Sequence, residues 1–263
     1  SASARGFLAS VHPDKRRRAI TAQHVQTLII GAGQAGLATG YHLKRRGLPF
    51  LVVDAHERVG DNWRRQWDSL KLYTPAKYDG LPGLPFPADP WHYPGKDEVA
   101  DYLERYAVAH DLPVRTGTRV HRLTRYRDGF RVQLDDGILT CDNVVVATGS
   151  FGRTPYLPEP AADLDARIVQ LHSSEYRRPE QLPPGQVLVV GASHSGTDIA
   201  YEVAETHPTM LAGRECGQMP IKLHSRQSHV LFPFILFAFR HVLTRRTPMG
   251  RKAMEEVRFH GGP

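Results

Sequence analysis

The chain has 263 residues, 41% of them hydrophobic and 23% charged, with 23 Gly, 20 Pro and two Cys. It is long enough to bury one large core or two moderate ones and too apolar for a disordered chain, and two cysteines with no CxxC spacing exclude a disulfide scaffold or a dithiol motif. The net charge of +7 comes from scattered Lys and Arg with no aromatic interleaving, so no nucleic-acid surface is expected.

Residues 1–19 read as a basic N-terminal arm whose dense run, 15–18, is Lys-Arg-Arg-Arg. No secretory signal pattern is visible there, and a cytoplasmic location is expected. The apolar run 25–30 then ends at Gly31, the pattern of a strand covered on both faces. Residues 34–46 carry apolar side chains at helical spacing and close on Arg45, Arg46 and Gly47, basic residues in a last turn followed by a stop. Residues 50–54 give a second buried strand, so the unit is β-α-β.

Residues 73–95 are too rich in Pro, Gly and aromatics for anything but loop. A helix returns over 96–110 with Val99, Tyr102, Leu103 and Tyr106 on one stripe. Strand-like pieces follow at 114–124, 129–134 and 138–141, and a further buried strand at 143–147. The proline-rich stretch 150–186 reads as a linker. The opening pattern then repeats, with a strand at 187–190, a turn from Gly191 to Gly196, a helix over 197–206 and a strand at 210–212. The last apolar run, 230–239, is interrupted by Pro233 and is too short to span a membrane. It reads as a buried helix or pocket wall, with interfacial membrane contact the lesser alternative.

A strand entering a helix through G-x-G-x-x-G suits a dinucleotide. Gly31 allows the tight turn, Gly33 leaves room for pyrophosphate against the backbone, and Gly36 lets helix and strand pack closely. The helix N-terminus offers unpaired N–H groups and a partial positive charge. Asp54 closes the second strand, where an acid takes ribose hydroxyls. In the second turn Ser193 stands in the place of the middle glycine, and Arg214, not an acid, follows the next strand. A guanidinium there pairs with a 2′-phosphate, so this turn points to NADP(H). The histidines form no HExxH pattern and no metal site is expected.

In combination, the Gly31–Gly36 turn, "GDNWRRQWDSLKLYTP" at 60–75, "VVVATGSFGRTPYLP" at 144–158, "LHSSEYRRP" at 171–179 and "VVGASHSGTDIAYEVA" at 189–204 resemble the flavin-containing monooxygenase family, with its YUCCA-like and Baeyer–Villiger relatives. The resemblance implies an α/β fold of two dinucleotide-binding, Rossmann-like domains, parallel sheets with a small antiparallel insertion: residues 20–152 for FAD and an incomplete 153–263 for NADPH. It places Gly31, Gly33, Gln34 and Gly36 on the FAD pyrophosphate, Asp54 on its ribose, and Asn62, Trp63, Thr148 and Gly149 along the coenzyme. Residues 71–75 enter near the flavin, with Thr74 the one candidate for a catalytic hydroxyl. Gly191, Ser193, His194, Ser195 and Gly196 would line the NADPH phosphates, and Arg214 would take the 2′-phosphate.

The implied activity is NADPH-dependent insertion of one oxygen from O2 into a small organic substrate through a C4a-(hydro)peroxyflavin. Two alternatives stand beside it: a nucleotide-binding remnant, and a flavin reductase of the disulfide-reductase type, for which Cys141 and Cys216 are poorly spaced. The family pattern is kept only in part. Ala166 and Ile168 replace a Phe and a Gly of the signature that His172 and Tyr176 complete, and no Asn accompanies Tyr73 and Thr74. The resemblance also implies a further segment beyond Gly261, Gly262 and Pro263.

Overall fold

The computed structural model describes residues 23–149, 155–214 and 226–260. The basic arm, Cys216 and residues 261–263 lie outside that set.

β1 (Gln23–Ile30), α1 (Gln34–Arg45) and β2 (Phe50–Val53) form the expected β-α-β unit, the strands parallel from Thr27↔Phe50 to Ile30↔Val53. The run in β1 is apolar because successive side chains point to opposite, equally covered faces. Leu28 packs with Val53, Val132 and Leu139, while Ile29 packs with Leu37, Val52 and Tyr106. Burial of each such side chain stabilises the fold by roughly 1.5–3 kcal/mol. α1 ends where Gly47 takes φ +65°, which glycine adopts without strain.

The short α2 (Asp61–Arg64) precedes the Pro-rich loop, and α3 (Lys96–Ala109) follows it. At the start of α3, Glu98 accepts a hydrogen bond from Gly95 N–H at 2.8 Å, satisfying one terminal donor. Val99, Tyr102, Leu103 and Tyr106 are buried as their spacing predicts.

Three strand expectations need correction. The piece 114–124 is two strands, β3 (Val114–Arg115) and β4 (Val120–Tyr126), because the chain turns at Gly117 with φ +56°. They occupy opposite edges of one six-stranded sheet, in the order β3-β2-β1-β6-β5-β4. The pieces 138–141 and 143–147 are a single strand, β6 (Gly137–Val146). It runs antiparallel to β5 (Gly129–Leu134) only as far as Cys141, and parallel to β1 from Gln23↔Leu139 to Ile30↔Val146. Exposed Asp142 and Asn143 mark where the β5 partner ends, not where the strand does. The antiparallel hairpin therefore extends the main sheet, which is mixed.

β7 (Val187–Val190) and β8 (Thr209–Ala212) form a separate two-stranded parallel sheet around α4 (His194–Val203). The helix begins three residues before the expected 197, since Ser193 is extended and Thr197 N–H already bonds Ser193 O at 2.9 Å. The end of the expected linker is packed. Tyr176 is buried with Trp67, Ile199 and Val203, its hydroxyl donates to Glu202 at 2.7 Å, and Asp68 N–H bonds Arg177 O at 2.8 Å. Tyr176→Phe removes a hydrogen bond to a carboxylate that water can still reach, so a loss of about 1 kcal/mol in denaturant unfolding is expected.

α5 (Arg226–Phe237) and α6 (Pro248–His260) complete the described chain. The expectation of a buried helix at 230–239 is corrected. Phe232 is buried, stacked on Tyr78 at 5.6 Å, but Val230, Leu231, Phe234, Phe237 and Phe239 are exposed, because among the described residues only one side of α5 meets the Pro-rich loop. No described helix is long and apolar enough to cross a membrane.

Candidate functional site

The two glycine turns are built alike. Gly31 has φ +108° and its N–H bonds Val53 O at 2.8 Å. A Cβ on it would lie 2.3 Å from Ala147 O, and one on Gly36 would lie 1.9 Å from Gly31 O. Both glycines are fixed by the close approach of backbone to backbone. Gly33 is different. Its φ of −80° and ψ of −175° are open to any residue, and nothing lies within 4 Å of where its Cβ would be. The missing side chain leaves free space in front of the first N–H groups of α1, which are ready to receive an anion.

In the second turn Gly191 has φ +110° and its N–H bonds Ala212 O at 2.7 Å. A Cβ on Gly196 would lie 1.7 Å from Gly191 O. Ser193 holds the extended conformation of Gly33, φ −86° and ψ −178°, with His194 and Ser195 opening α4. The cap positions correspond, and so do the strand ends: Val53 matches Ala212, and Asp54 therefore matches Gly213. Arg214 is one residue further on, two past the end of β8. A Cβ on Gly213 would lie 2.5 Å from Ala192 N, so a side chain in the place of Asp54 is excluded there. The expectation that Arg214 stands where the first unit has its acid is corrected by one residue: that place belongs to Gly213.

Asp54 fixes the first turn. Its carboxylate accepts Ala32 N–H at 2.6 Å and His56 N–H at 2.8 Å. Thr148 and Gly149 leave β6 beside this turn: Thr148 N is 3.2 Å from a Cβ on Gly31, and Gly149 turns at φ +69°. Gln34, Trp63 and Thr74 come together around one cavity of about 210 Å³, walled by Leu72, Leu81, Phe86 and Val99 among others. Asn62, beside Trp63 on α2, is exposed and does not line it. His172 is tied into its own loop, with Nδ1 2.8 Å from Ser174 Oγ.

Two features escaped the sequence reading. Asp79 lines the same cavity; Thr74 Oγ1 donates to its Oδ1, and its Oδ2 is buried without a partner. Burial, opposed by the Thr74 hydrogen bond, pushes this carboxyl up to about 6. In sequence Asp79-Gly80 reads simply as a turn. Tyr73, exposed on one side, donates to Asp198 of α4 at 2.5 Å and sets its ring 5.0 Å from that of His194. Burial and the Asp198 carboxylate hold this phenol well above the ordinary tyrosine range. Adjacent residues thus face the two turns, Tyr73 toward α4 and Thr74 toward the cavity beside α1.

The neutral form of Asp79 is the one the fold favours, so its ionisation lowers stability as pH rises from about 4 through about 6. The rise corresponds to at most about 3 kcal/mol, reduced by solvent access to about 1–2 kcal/mol. Coenzyme-free Asp79→Asn protein is expected to melt higher than the unmodified chain at pH 8 and equally at pH 4. Equal melting at both pH values contradicts the assignment.

Comparison with known proteins agrees with this geometry. The profile of the family described as pyridine nucleotide-disulphide oxidoreductase matches residues 28–256. An uncharacterized CzcO-like oxidoreductase of Geobacillus kaustophilus is 44% identical over 203 residues, 76% of this chain and 58% of that protein. The indole-3-pyruvate monooxygenase YUCCA1 of Oryza sativa is 33% identical over 199 residues, 73% of this chain and 49% of that protein. Among solved structures, the flavin-containing monooxygenase of Stenotrophomonas maltophilia is 32% identical with a TM-score of 0.72, covering 86% of this chain and 70% of that one. The chain spans about half the length of the curated relatives it matches.

Proposed function

Because the chain belongs to the pyridine nucleotide-disulphide oxidoreductase family, we propose that it is an FAD- and NADPH-dependent monooxygenase acting with O2 on a small organic substrate. The observation that carries this reading is the pair of matched turns, each with positive φ at its first glycine and backbone closing its third position, small at the second, with the space at Gly33 fully open. An ordinary strand-to-helix turn has no need of that opening.

Gly31, Gly33, Gln34 and Gly36 hold the FAD pyrophosphate against the N-terminus of α1. Asp54 locks the turn through Ala32 N–H and turns its remaining acceptor capacity toward ribose hydroxyls. Trp63, Thr148 and Gly149 flank the coenzyme, and Thr74 offers a hydroxyl near its reactive end. Gly191, Ser193, His194, Ser195 and Gly196 seat the phosphates of NADPH, and Arg214 its 2′-phosphate. The chemistry supplied by the bound coenzymes is hydride transfer from NADPH to flavin and reaction of the reduced flavin with O2. The protein's part is to orient the two and to keep water from the apolar cavity. Cys141 favours oxygenation over disulfide reduction: it is buried within the sheet, and its thiol is pushed up by that burial, the opposite of a redox cysteine.

The test is oxygen consumption with NADPH by FAD-loaded protein, with product analysis over amine, sulfide, ketone and 2-oxo-acid substrates. Oxygenated product formed with NADPH consumption is expected. NADPH consumption coupled to reduction of an added disulfide, with no oxygenated product, overturns the monooxygenase assignment.

A further inference from the structure

The cavity beside the first turn contains a group that none of the assigned roles uses. Its walls are apolar, and the ionisable side chains on them are Asp79 and Tyr102. From α3, the Tyr102 hydroxyl donates to Leu84 O at 2.7 Å and accepts Leu81 N–H at 2.6 Å, so its hydrogen is committed. From α1 and α2 come Gln34 and Trp63, both uncharged. From the loop itself, Lys77 lies over the rings of Tyr78 and Trp91, at 5.6 and 5.4 Å. No cation among the described residues pairs with Asp79.

Apolar walls without a counter-charge favour the neutral acid. Thr74 donates to Oδ1, so the acid's own hydrogen belongs on Oδ2, the oxygen with no partner in the protein. A buried donor left without an acceptor is costly to the fold, and such groups are completed by ordered water or a bound ligand. The cavity is lined by Gln34, Trp63 and Thr74, residues assigned above to the first coenzyme.

We propose that Asp79 is a coenzyme-contacting residue, whose neutral carboxyl donates a hydrogen bond from Oδ2 to an acceptor atom of bound FAD while Thr74 holds the other oxygen. The inference rests on the FAD reading of the first turn. It assigns the carboxyl a state as well as a place, and so predicts proton-linked binding. The carboxyl titrates at about 6 in the free protein, and donation to a ligand raises it further. FAD binding then takes up a proton, with affinity full below about pH 6 and falling as pH rises through the free and bound values.

The experiment measures FAD affinity by quenching of flavin fluorescence between about pH 5 and 8, for the unmodified chain and for Asp79→Asn. The unmodified chain is expected to weaken about tenfold across this window, the worth of one hydrogen bond to a buried group. Asp79→Asn, which keeps a donor but cannot ionise, is expected to show a nearly flat profile close to the low-pH affinity. Parallel profiles for the two proteins, or tightening of the unmodified chain as pH rises, overturn the role of Asp79 and leave the FAD reading intact. Absence of FAD binding by either protein at every pH overturns both. Adding FAD to the unmodified chain in weak buffer near about pH 6.5 is expected to take up protons, which tests the role without the variant, since release or no change contradicts it.

Discussion

Gly33→Val is expected to leave the fold unchanged and to weaken FAD binding at least about a hundredfold, whereas Gly36→Ala is expected to damage the fold itself. The two positions lie three residues apart in one turn, yet they are glycine for different reasons. At Gly33 the backbone is extended and nothing lies within 4 Å of the Cβ position, so valine is expected to be accommodated and stability should change by no more than about 0.5 kcal/mol. Its methyl groups instead occupy the space where a pyrophosphate approaches α1. Two charge-assisted hydrogen bonds lost there amount to about 3 kcal/mol or more, hence the hundredfold effect. At Gly36 even one methyl would sit 1.9 Å from Gly31 O and 3.3 Å from the Ile29 side chain. A backbone oxygen cannot swing aside, so α1 must lift from β1, at about 3 kcal/mol and roughly 6–12 °C in Tm. Calorimetry separates the outcomes: if Gly33→Val melts as low as Gly36→Ala, the open space is not a ligand site but part of the packing.

Arg214→Ala is expected to raise the Kd for NADPH about a hundredfold while changing that for NADH by less than about twofold, since a bidentate guanidinium–phosphate pair contributes about 3 kcal/mol. In the first turn Asp54 reaches back to Ala32 N–H. In the second the matching residue is Gly213, pressed so close to Ala192 N that a side chain is excluded. The place of Asp54 therefore holds no carboxylate to repel a 2′-phosphate, and the cation stands one residue further on. Arg214→Lys should recover only part of the affinity, because an ammonium keeps the charge but not the planar fork. Equal weakening toward both nucleotides in parallel titrations rules out the 2′-phosphate role.

The features legible in the sequence are those enforced by local geometry. The turns could be read because tight backbone approach admits only glycine at Gly31, Gly36 and Gly196. The paired strands and α3 could be read because burial on one face or two writes a period into the chain. What was not legible depends on partners distant in sequence or on what covers a surface. The continuity of β6 was hidden by Asp142 and Asn143, polar residues that the strand simply turns outward. The apolar composition around Pro233 could not say that Phe232 would be buried while Val230, Leu231, Phe234, Phe237 and Phe239 stayed exposed. Asp79 was hidden in a turn-rich loop, and its contact with Thr74 gains meaning only from the cavity around it. The bond from Tyr73 to Asp198 joins residues 125 positions apart, and neither residue type marks it in advance.

Through that bond the loop carrying Thr74 is anchored by Tyr73 to the helix that the second turn opens. The most direct measurement is anaerobic mixing of FAD-loaded protein with NADPH, followed by flavin absorbance. Two coenzymes seated in these turns should give bleaching of the oxidised flavin band by one equivalent of NADPH, markedly faster than by NADH. A chain that binds FAD but keeps its absorbance unchanged in the presence of NADPH contradicts the account.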